Sequence, residues 1–561
     1  MAEKSVKSAF WYILIILCIM IPFWAFHQGF DLKDGGYEIN MGKFFVSNPE
    51  TTNYPMFLCA LVSWLLGGFL ELFHIPVIVG YKAAKIMLLL ASDLLIYSIY
   101  KKYMRRNTVL LLLLVCNVMA LVSTPMLSYN SLGNFFSVLM LYFLHKGETE
   151  GKNRSYALAG LVYAVNIFVR FPNIVQGIAV TAIILTVCWE QEKRRVWEKI
   201  GCFFGGGAAG LFVMLGIVQL CIGVPAYLQA VKGLFVYAQS EDTIYGFSQM
   251  LRSLLGEGIN GMIKFVKLAV PVLIGGAAIK YTTKIVRGGV KRYYIIEGIT
   301  AVVLAVLIFG NQAYRQPIGW VELLVAATGV FGIAVFCCRK FPCGMRFLAV
   351  VSVFLLISMP VGSSTRFYFF LNNGFQIFMP ILFYVLFERR REIYDKAVGG
   401  IVIGCMVLTM GGTALGYRYG ETEQERRLVR NDPGNYLNGT VTGVKRQENI
   451  LDLEYFFEAY EGGRESMITL GDAPMLHAIL DIPPFFPEVN GWTDLSQLDI
   501  TKIKRTFEKG SCPLIIVDEK EFYAEQPRMK ELRHTFFDEL IETEYTEIYR
   551  NGQYAVYQYK E

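Results

Sequence analysis

Two carboxylates in the segment Phe30-Asp31-Leu32-Lys33-Asp34-Gly35-Gly36-Tyr37 are the side chains best suited to chemistry. Asp31 and Asp34 follow the first apolar run of membrane length, so they lie at a membrane surface if that run spans the bilayer. A charged group beside hydrocarbon is costly and is often functional. Such a carboxylate can act as a general base once its neighbours or partial burial tune its pKa. An alternative stays open, in which both residues only solvate a loop and cap a short helix.

Composition predicts a polytopic membrane protein. The 561 residues are 54% hydrophobic and only 18% charged, which is too apolar for a soluble protein of this size. The part from Arg418 onward, here called the tail, has more acidic than basic residues, whereas the preceding part has the reverse. This basic excess fits cytoplasmic loops better than a nucleic-acid surface. The 11 cysteines lack the spacing of a disulfide framework or a zinc site.

Basic residues at the ends of the apolar runs predict the topology. If Lys4 and Lys7 are cytoplasmic, the basic residues at 101–106 mark the next return to the cytoplasm. The run at 56–73, which contains two glycines and a glutamate, then lies in or dips into the outer interface without crossing. About thirteen crossings result, with the amino terminus inside and the carboxyl terminus outside. The predicted spans are 10–26, 75–100, 109–123, 132–145, 156–169, 174–189, 202–224, 265–280, 295–309, 321–337, 347–360, 367–387 and 398–415.

This topology divides residues 1–417 from the tail and leaves two large outer loops, at 27–74 and 225–264. The second loop is rich in aromatic residues and fits an amphipathic helix on the outer leaflet, a lid over a lipid-linked ligand, or an interfacial aromatic belt. Gly206 and Gly210 have the spacing of a helix-packing motif.

The tail, residues 418–561, has the pattern of a folded extracytoplasmic α/β domain. Short β-forming runs at 466–471, 513–517, 545–550 and 554–559 alternate with a charged helical stretch at 529–542. Asn551-Gly552 between the last two runs predicts a hairpin. Asp472 and the acidic region at 494–499 form turns or bind a ligand.

This order of elements resembles the GT-C superfamily of membrane glycosyltransferases, which take sugars from polyprenyl-phosphate or polyprenyl-diphosphate donors. Four short segments carry the resemblance, and all fall on one side of the membrane in the predicted topology. They are Asp31 and Asp34 with Tyr37, Ser128-Tyr129-Asn130-Ser131-Leu132, Arg170-Phe171-Pro172-Asn173, and Gly362-Ser363-Ser364-Thr365-Arg366. The resemblance covers most of residues 1–417, and the tail matches only in its placement.

The resemblance implies a bacterial-type, inverting enzyme of the cell envelope with Asp34 as the general base that deprotonates the acceptor. Asp31 and Tyr37 then belong to the substrate-binding loop, with Asp31 as a metal ligand or a support. Arginine binds phosphate through planar, permanently charged contacts, so Arg170 and Arg366 are the predicted donor-binding residues, and both also suit snorkelling anchors. Asn130 supports the site by hydrogen bonding or simply forms a polar turn.

The predicted partners are a lipid-linked sugar donor and a glycan, lipid or protein acceptor at the outer face of a bacterial plasma membrane. A divalent cation can assist the leaving phosphate, but the sequence assigns it no ligands. Two alternatives stay open: a transporter or flippase of a lipid-linked saccharide, and a polysaccharide polymerase or ligase.

Overall fold

The computed structural model of the chain is mostly helical. It describes residues 2–560 except 25, 50–53, 124, 191–195, 240–246, 286–289, 311, 364–366, 368–369, 371–373, 390–392, 417–422, 424, 472, 486–506, 508–511 and 523–526. Arg366, Asp472 and the acidic region at 494–499 therefore lie outside the described residues.

Sixteen helices precede the tail among the described residues, and most coincide with an apolar run of the sequence. In chain order they are α1 Ala2–Trp24, α2 Asp34–Lys43, α3 Phe57–Leu72, α4 Val77–Tyr100, α5 Arg106–Ala120, α6 Tyr129–Glu150, α7 Asn153–Val169, α8 Thr181–Glu190, α9 Val196–Cys221, α10 Val224–Gln239, α11 Phe247–Ile285, α12 Val290–Gly310, α13 Pro317–Cys337, α14 Cys343–Ser358, α15 Phe375–Phe383 and α16 Ile393–Gly416. A 3₁₀ segment, Phe171–Val180, precedes α8, and a π-helical segment, Tyr384–Arg389, follows α15.

By length and composition, five helices of the described chain can cross a membrane. They cover Val77–Tyr100, Val196–Cys221, Ser248–Tyr281, Pro317–Cys337 and Lys396–Leu415, and six shorter apolar helices accompany them. Large apolar side chains on α9 point outward, with Phe212 80% and Leu220 88% exposed. A hydrocarbon environment suits such surfaces. The count of thirteen crossings stays a prediction.

Close contact between α7 and α9 depends on glycines. A Cβ placed on Gly206 would lie 1.9 Å from the carbonyl oxygen of Ala157, and one on Gly210 would lie 2.8 Å from that of Leu161. The predicted packing role of both glycines is therefore confirmed, because only hydrogen fits between the two backbones.

The tail contains two small sheets and four helices among its described residues. β1 (Arg426–Leu428) pairs antiparallel with β2 (Val441–Gly443), and a second sheet has the order β3-β4-β6-β5. In this sheet β3 and β4 are parallel, whereas β6 pairs antiparallel with both β4 and β5. The remaining elements are α17 Val444–Ala459, β3 Met467–Leu470, α18 Met475–Leu480, β4 Leu514–Asp518, α19 Glu519–Phe522, α20 Pro527–Glu544, β5 Tyr545–Arg550 and β6 Tyr554–Tyr559.

The hairpin between β5 and β6 turns at the predicted Asn551-Gly552. Asn551 Oδ1 accepts the backbone N–H groups of Gln553 and Tyr554 at 3.0 and 2.9 Å, which fixes the turn. The predicted strands and hairpin are thus present.

The tail packs directly on the first outer loop. Phe30 and Leu32 share a hydrophobic cluster with tail residues that include Met475 and Ile450. The backbone N–H groups at the start of α4 also donate to tail carbonyls, Val77 to Asn435 at 3.1 Å and Ile78 to Tyr436 at 3.3 Å. The first loop is therefore held between the helical part and the tail.

Candidate active site at the first loop

Asp31 caps the helix that Asp34 begins. The Asp31 side chain is 1% exposed, and its Oδ1 accepts the N–H of Lys33 at 2.9 Å while Oδ2 accepts that of Gly35 at 2.8 Å. These bonds satisfy donors that a helix start leaves open. Asp34 is the first residue of α2 and is half-buried, where the helix dipole favours its negative charge. Asp31 is thus buried and bound to the backbone, whereas Asp34 is partly accessible.

Glu38, one helical turn after Asp34, is a buried acid that the sequence reading missed. Its Oε2 accepts the Cys59 thiol at 2.7 Å, and its Oε1 accepts the N–H of Tyr129 at 2.8 Å. Burial raises the pKa of Glu38 to about 7, against the lowering effect of these two hydrogen bonds, and the nearby Asp34 raises it further. The sequence feature that points to Glu38 is its position four residues after Asp34, since this spacing puts both acids on one helix face.

The two glycines after Asp34 allow close contact with other parts of the protein. A Cβ on Gly35 would lie 2.2 Å from Met126 Cε, and one on Gly36 would lie 2.4 Å from Met475 Cβ. Met126 belongs to the α5–α6 connection and Met475 to the tail. Helix α2 is therefore held on both sides.

Tyr37 and Asn130 both lie close to this helix. Tyr37, 6% exposed, packs in a cluster with Met41, Phe57 and Phe168. Asn130 is buried in the first turn of α6, next to the Tyr129 N–H that binds Glu38. The motif around Asn130 also has a local role, because Ser128 and Ser131 form a capping box that starts α6.

Arg170 joins two of the predicted motif segments. Its Nη2 donates to the carbonyls of Met359 and Val361 at 2.9 and 2.7 Å, at the end of α14. Gly362 has φ +76° and packs on Pro172, whose Cγ would be 2.5 Å from an added Cβ. The segment at 170–173 thus meets the chain at 359–362, and phosphate binding by Arg170 stays a prediction.

A cavity beside the first loop contains two buried lysines that sequence reasoning missed. Lys82 Nζ donates to the carbonyl of Gln28 at 3.1 Å and to that of Gly29, and Lys85 Nζ donates to Ser123 Oγ at 2.6 Å. The empty volume of the cavity is about 640 Å³. Its lining residues are Pro22, Phe26, Gln28, Lys82, Lys85, Ile86, Leu89, Asn117, Ala120, Leu121, Ser123, Pro125 and Ala414.

The sequence contains a feature that points to this cavity, namely two lysines within one helix. Lys82 and Lys85 stand one turn apart within a mostly apolar helix, and ionisable residues inside such a helix usually face an interior cavity and serve a function. Cationic Nζ groups with apolar walls can bind an anionic headgroup and its hydrocarbon chain together. Among the described residues, no three His, Cys, Asp or Glu side chains form a metal site.

One protein-family model matches part of the chain. Residues 59–218 match the family model of dolichyl-phosphate-mannose-protein mannosyltransferases, and this match includes Lys82, Lys85, Asn130 and Arg170. The match spans less than half of the chain and begins after Asp34. No curated protein sequence matches the chain significantly.

Three solved structures align with the chain at low sequence identity. An Archaeoglobus fulgidus oligosaccharyltransferase, in complex with Zn and sulfate, aligns with a TM-score of 0.50 and 10% identity over 90% of this chain and 68% of that chain. ArnT from Cupriavidus metallidurans bound to undecaprenyl phosphate aligns with a TM-score of 0.42 and 10% identity over 99% and 98% of the two chains. The apo form of that ArnT gives a TM-score of 0.43 and 12% identity over the same shares. The family model and the oligosaccharyltransferase fold together confirm the predicted resemblance to the GT-C superfamily.

Proposed function

We propose that this chain is an integral-membrane glycosyltransferase that moves a sugar from a polyprenyl-(di)phosphate-linked donor to an acceptor at the outer face of the membrane. One observation carries the proposal: the lysine-containing cavity and the Asp34 loop are built on the same short segment. Lys82 lines the cavity and donates to the carbonyls of Gln28 and Gly29, and Asp31 and Asp34 follow within a few residues. The proposed phosphate site and the candidate base thus share one short segment of the first loop.

Each group then has a defined role in the reaction. Asp34 takes the proton from the acceptor hydroxyl, and the resulting oxygen nucleophile attacks the anomeric carbon of the donor sugar. The bond from that carbon to the phosphate oxygen breaks, and the lipid (di)phosphate leaves with the electron pair. Lys82 and Lys85 stabilise its negative charge, while Phe26, Ile86 and Leu89 contact the hydrocarbon chain. A single displacement inverts the anomeric carbon, as the family resemblance implies.

The predicted arginine ligands keep a place in this proposal. Arg170 is 4% exposed and lies between two helix ends. It supports the site by holding the 359–361 segment in place. It also binds donor phosphate if that segment moves. Arg366 is proposed for phosphate on sequence grounds alone. A divalent cation, if one takes part, would neutralise the leaving phosphate.

The test is Asp34→Asn in purified protein reconstituted in vesicles with a polyprenyl-phosphate-linked sugar and candidate acceptors. We expect transfer to fall by about 10²–10⁴-fold, the range for loss of a general base, with membrane insertion unchanged. The matched control is Asp452→Asn, on the exposed face of α17, which should retain full activity. A fully active Asp34→Asn protein contradicts the assignment. Movement of a lipid-linked saccharide across the vesicle without a new glycosidic bond favours the transporter alternative.

A further inference from the structure

The segment that leads into the candidate base is attached to the tail. Gly29 donates its N–H to the carbonyl of Val441 at 2.8 Å, and Val441 donates in turn to the carbonyl of His27 at 2.6 Å. The Arg446 guanidinium lies 4.2 Å from the Phe30 ring centroid, and its Nη1 donates to the Phe30 carbonyl at 3.3 Å. The backbone immediately before Asp31 is therefore held by β2 and α17.

The segment that contains Asp34 contacts the tail at three further points. All three involve α18 or Asp481, the residue that follows it. The Met475 N–H donates to the Leu32 carbonyl at 3.2 Å. Gly36 packs against Met475, since a Cβ on Gly36 would lie 2.4 Å from Met475 Cβ and 3.1 Å from Met475 N. At the far end of α2, Lys43 Nζ pairs with Asp481 Oδ1 at 3.0 Å. Asp34 lies between the first two of these points.

Helix α2 needs these contacts to keep its shape. It has 10 residues, and two of its first three are glycine. A helix this short is unstable alone in water, and each interior glycine costs about 1 kcal/mol relative to alanine. Its position is therefore set by packing, and on one face the packing partner is Met475, which is fully buried.

We propose that Met475 is a positioning residue for Asp34, so that the tail sets the geometry of the transfer site as well as covering it. This inference rests on the proposed function, in which Asp34 is the base. The Met475 side chain fills the space that Gly36 leaves, and its backbone N–H fixes the Leu32 carbonyl. Together they determine where the first residue of α2 points relative to the cavity.

The experiment compares Met475→Ala with Met467→Ala in the full chain, reconstituted as above. Met467 is the matched control because it is also a fully buried methionine of the tail, in the same hydrophobic cluster, and it belongs to β3, which pairs with β4. Three quantities are measured: kcat, KM for the lipid-linked donor, and amide hydrogen exchange of the 27–43 segment.

We expect Met475→Ala to lower kcat about tenfold or more, since small displacements of a reacting group have effects of this size. The donor KM should change less than about twofold, because the lysines of the cavity stay in place. Exchange of the 27–43 segment should become faster in Met475→Ala and stay unchanged in Met467→Ala. Met475→Leu, which conserves volume, should restore kcat, and Gly36→Ala should reproduce the loss.

Two results overturn the inference: a wild-type kcat in Met475→Ala, or an equal loss of kcat in Met467→Ala. Failure of the proposed function looks different, because then no glycosidic bond forms with the wild-type protein or with Asp34→Asn. Transfer that depends on Asp34 but not on Met475 rejects only the positioning role.

Discussion

At the scale of single residues, Asp31 and Asp34 are three positions apart yet occupy different environments. Asp31 has both oxygens on backbone N–H groups and is buried, whereas Asp34 begins a helix and is half-buried. A carboxylate saturated by backbone donors is a poor proton acceptor, because those donors stabilise its charged form. This difference in environment supports the proposal that Asp34 is the base and Asp31 its support.

Lys85 provides a residue-scale prediction about donor binding. Lys85→Met should raise the donor KM about 10–100-fold, since one charge-assisted contact to phosphate contributes roughly 1.5–3 kcal/mol. The measurement is transfer rate against the concentration of the lipid-linked sugar. Lys152→Met, at an exposed Lys152–Glu150 pair, is the matched control and should behave as wild type. An unchanged KM in Lys85→Met would remove the lysine from the donor site.

Glu38 provides a prediction about pH. Its pKa is raised from 4.5 to about 7, mainly by burial, so the folded protein holds the proton in a range where the unfolded chain has lost it. The stability contribution of Glu38 is therefore full below about pH 4.5 and declines as pH rises to about 7. Thermal unfolding at pH 5 and pH 7.5 should show Glu38→Gln gaining stability relative to wild type at the higher pH.

The control for this pH effect is Glu448→Gln, on the exposed face of α17. Its unfolding temperature should differ from that of wild type by the same amount at both pH values. If Glu38→Gln behaves like this control, Glu38 titrates normally and its burial has no energetic consequence.

At the scale of elements, most helices follow from apolar runs, and the exceptions have physical causes. The predicted span at 174–189 begins as a 3₁₀ segment, with Pro172 in its first turn, where the missing backbone donor costs no helical hydrogen bond. The span at 367–387 is shorter, since the regular helix begins at Phe375. The predicted outer loop at 225–264 is helical over α10 and the first part of α11. An amphipathic helix on the outer leaflet, a lid and an aromatic belt all stay open for this segment, since the structure shows that it is helical but contains no membrane.

The contact between α7 and α9 gives an element-scale prediction. Gly206→Ala should destabilise the protein by about 1–3 kcal/mol, the usual cost of an added methyl in a close-packed contact. Gly205→Ala is the matched control, since a Cβ at Gly205 meets nothing within 4 Å. Thermal unfolding in detergent should separate the two variants, and equal unfolding temperatures would mean that α7 and α9 do not pack through Gly206.

At the scale of the whole molecule, the tail and the helical part share one hydrophobic cluster around the first loop. Chain segments far apart in sequence therefore build one site. In the proposed function, the tail with its own sheet holds the loop that contains the candidate base, because loops gain precision when rigid elements hold them.

The predicted topology is a whole-molecule property and has a direct test. A variant that retains only Cys512, which is exposed in the structure, should react with a membrane-impermeant maleimide in intact cells. A second variant, with Lys102→Cys as its only cysteine, should react only after the membrane is permeabilised. The reverse pattern would invert the topology and put Asp34 on the cytoplasmic side.

The sequence by itself determined the membrane class, the approximate helix positions, the Asn551-Gly552 hairpin and the carboxylate pair at the first loop. These features are local, because hydropathy, turn residues and short spacings operate over a few neighbouring positions. Only the tertiary structure decided that Lys82 holds the 28–29 carbonyls, that Glu38 is buried against Tyr129, and that Met475 fills the space beside Gly36. Each of these contacts joins separate elements, and the packing of whole surfaces, which no single segment encodes, determines which residues meet.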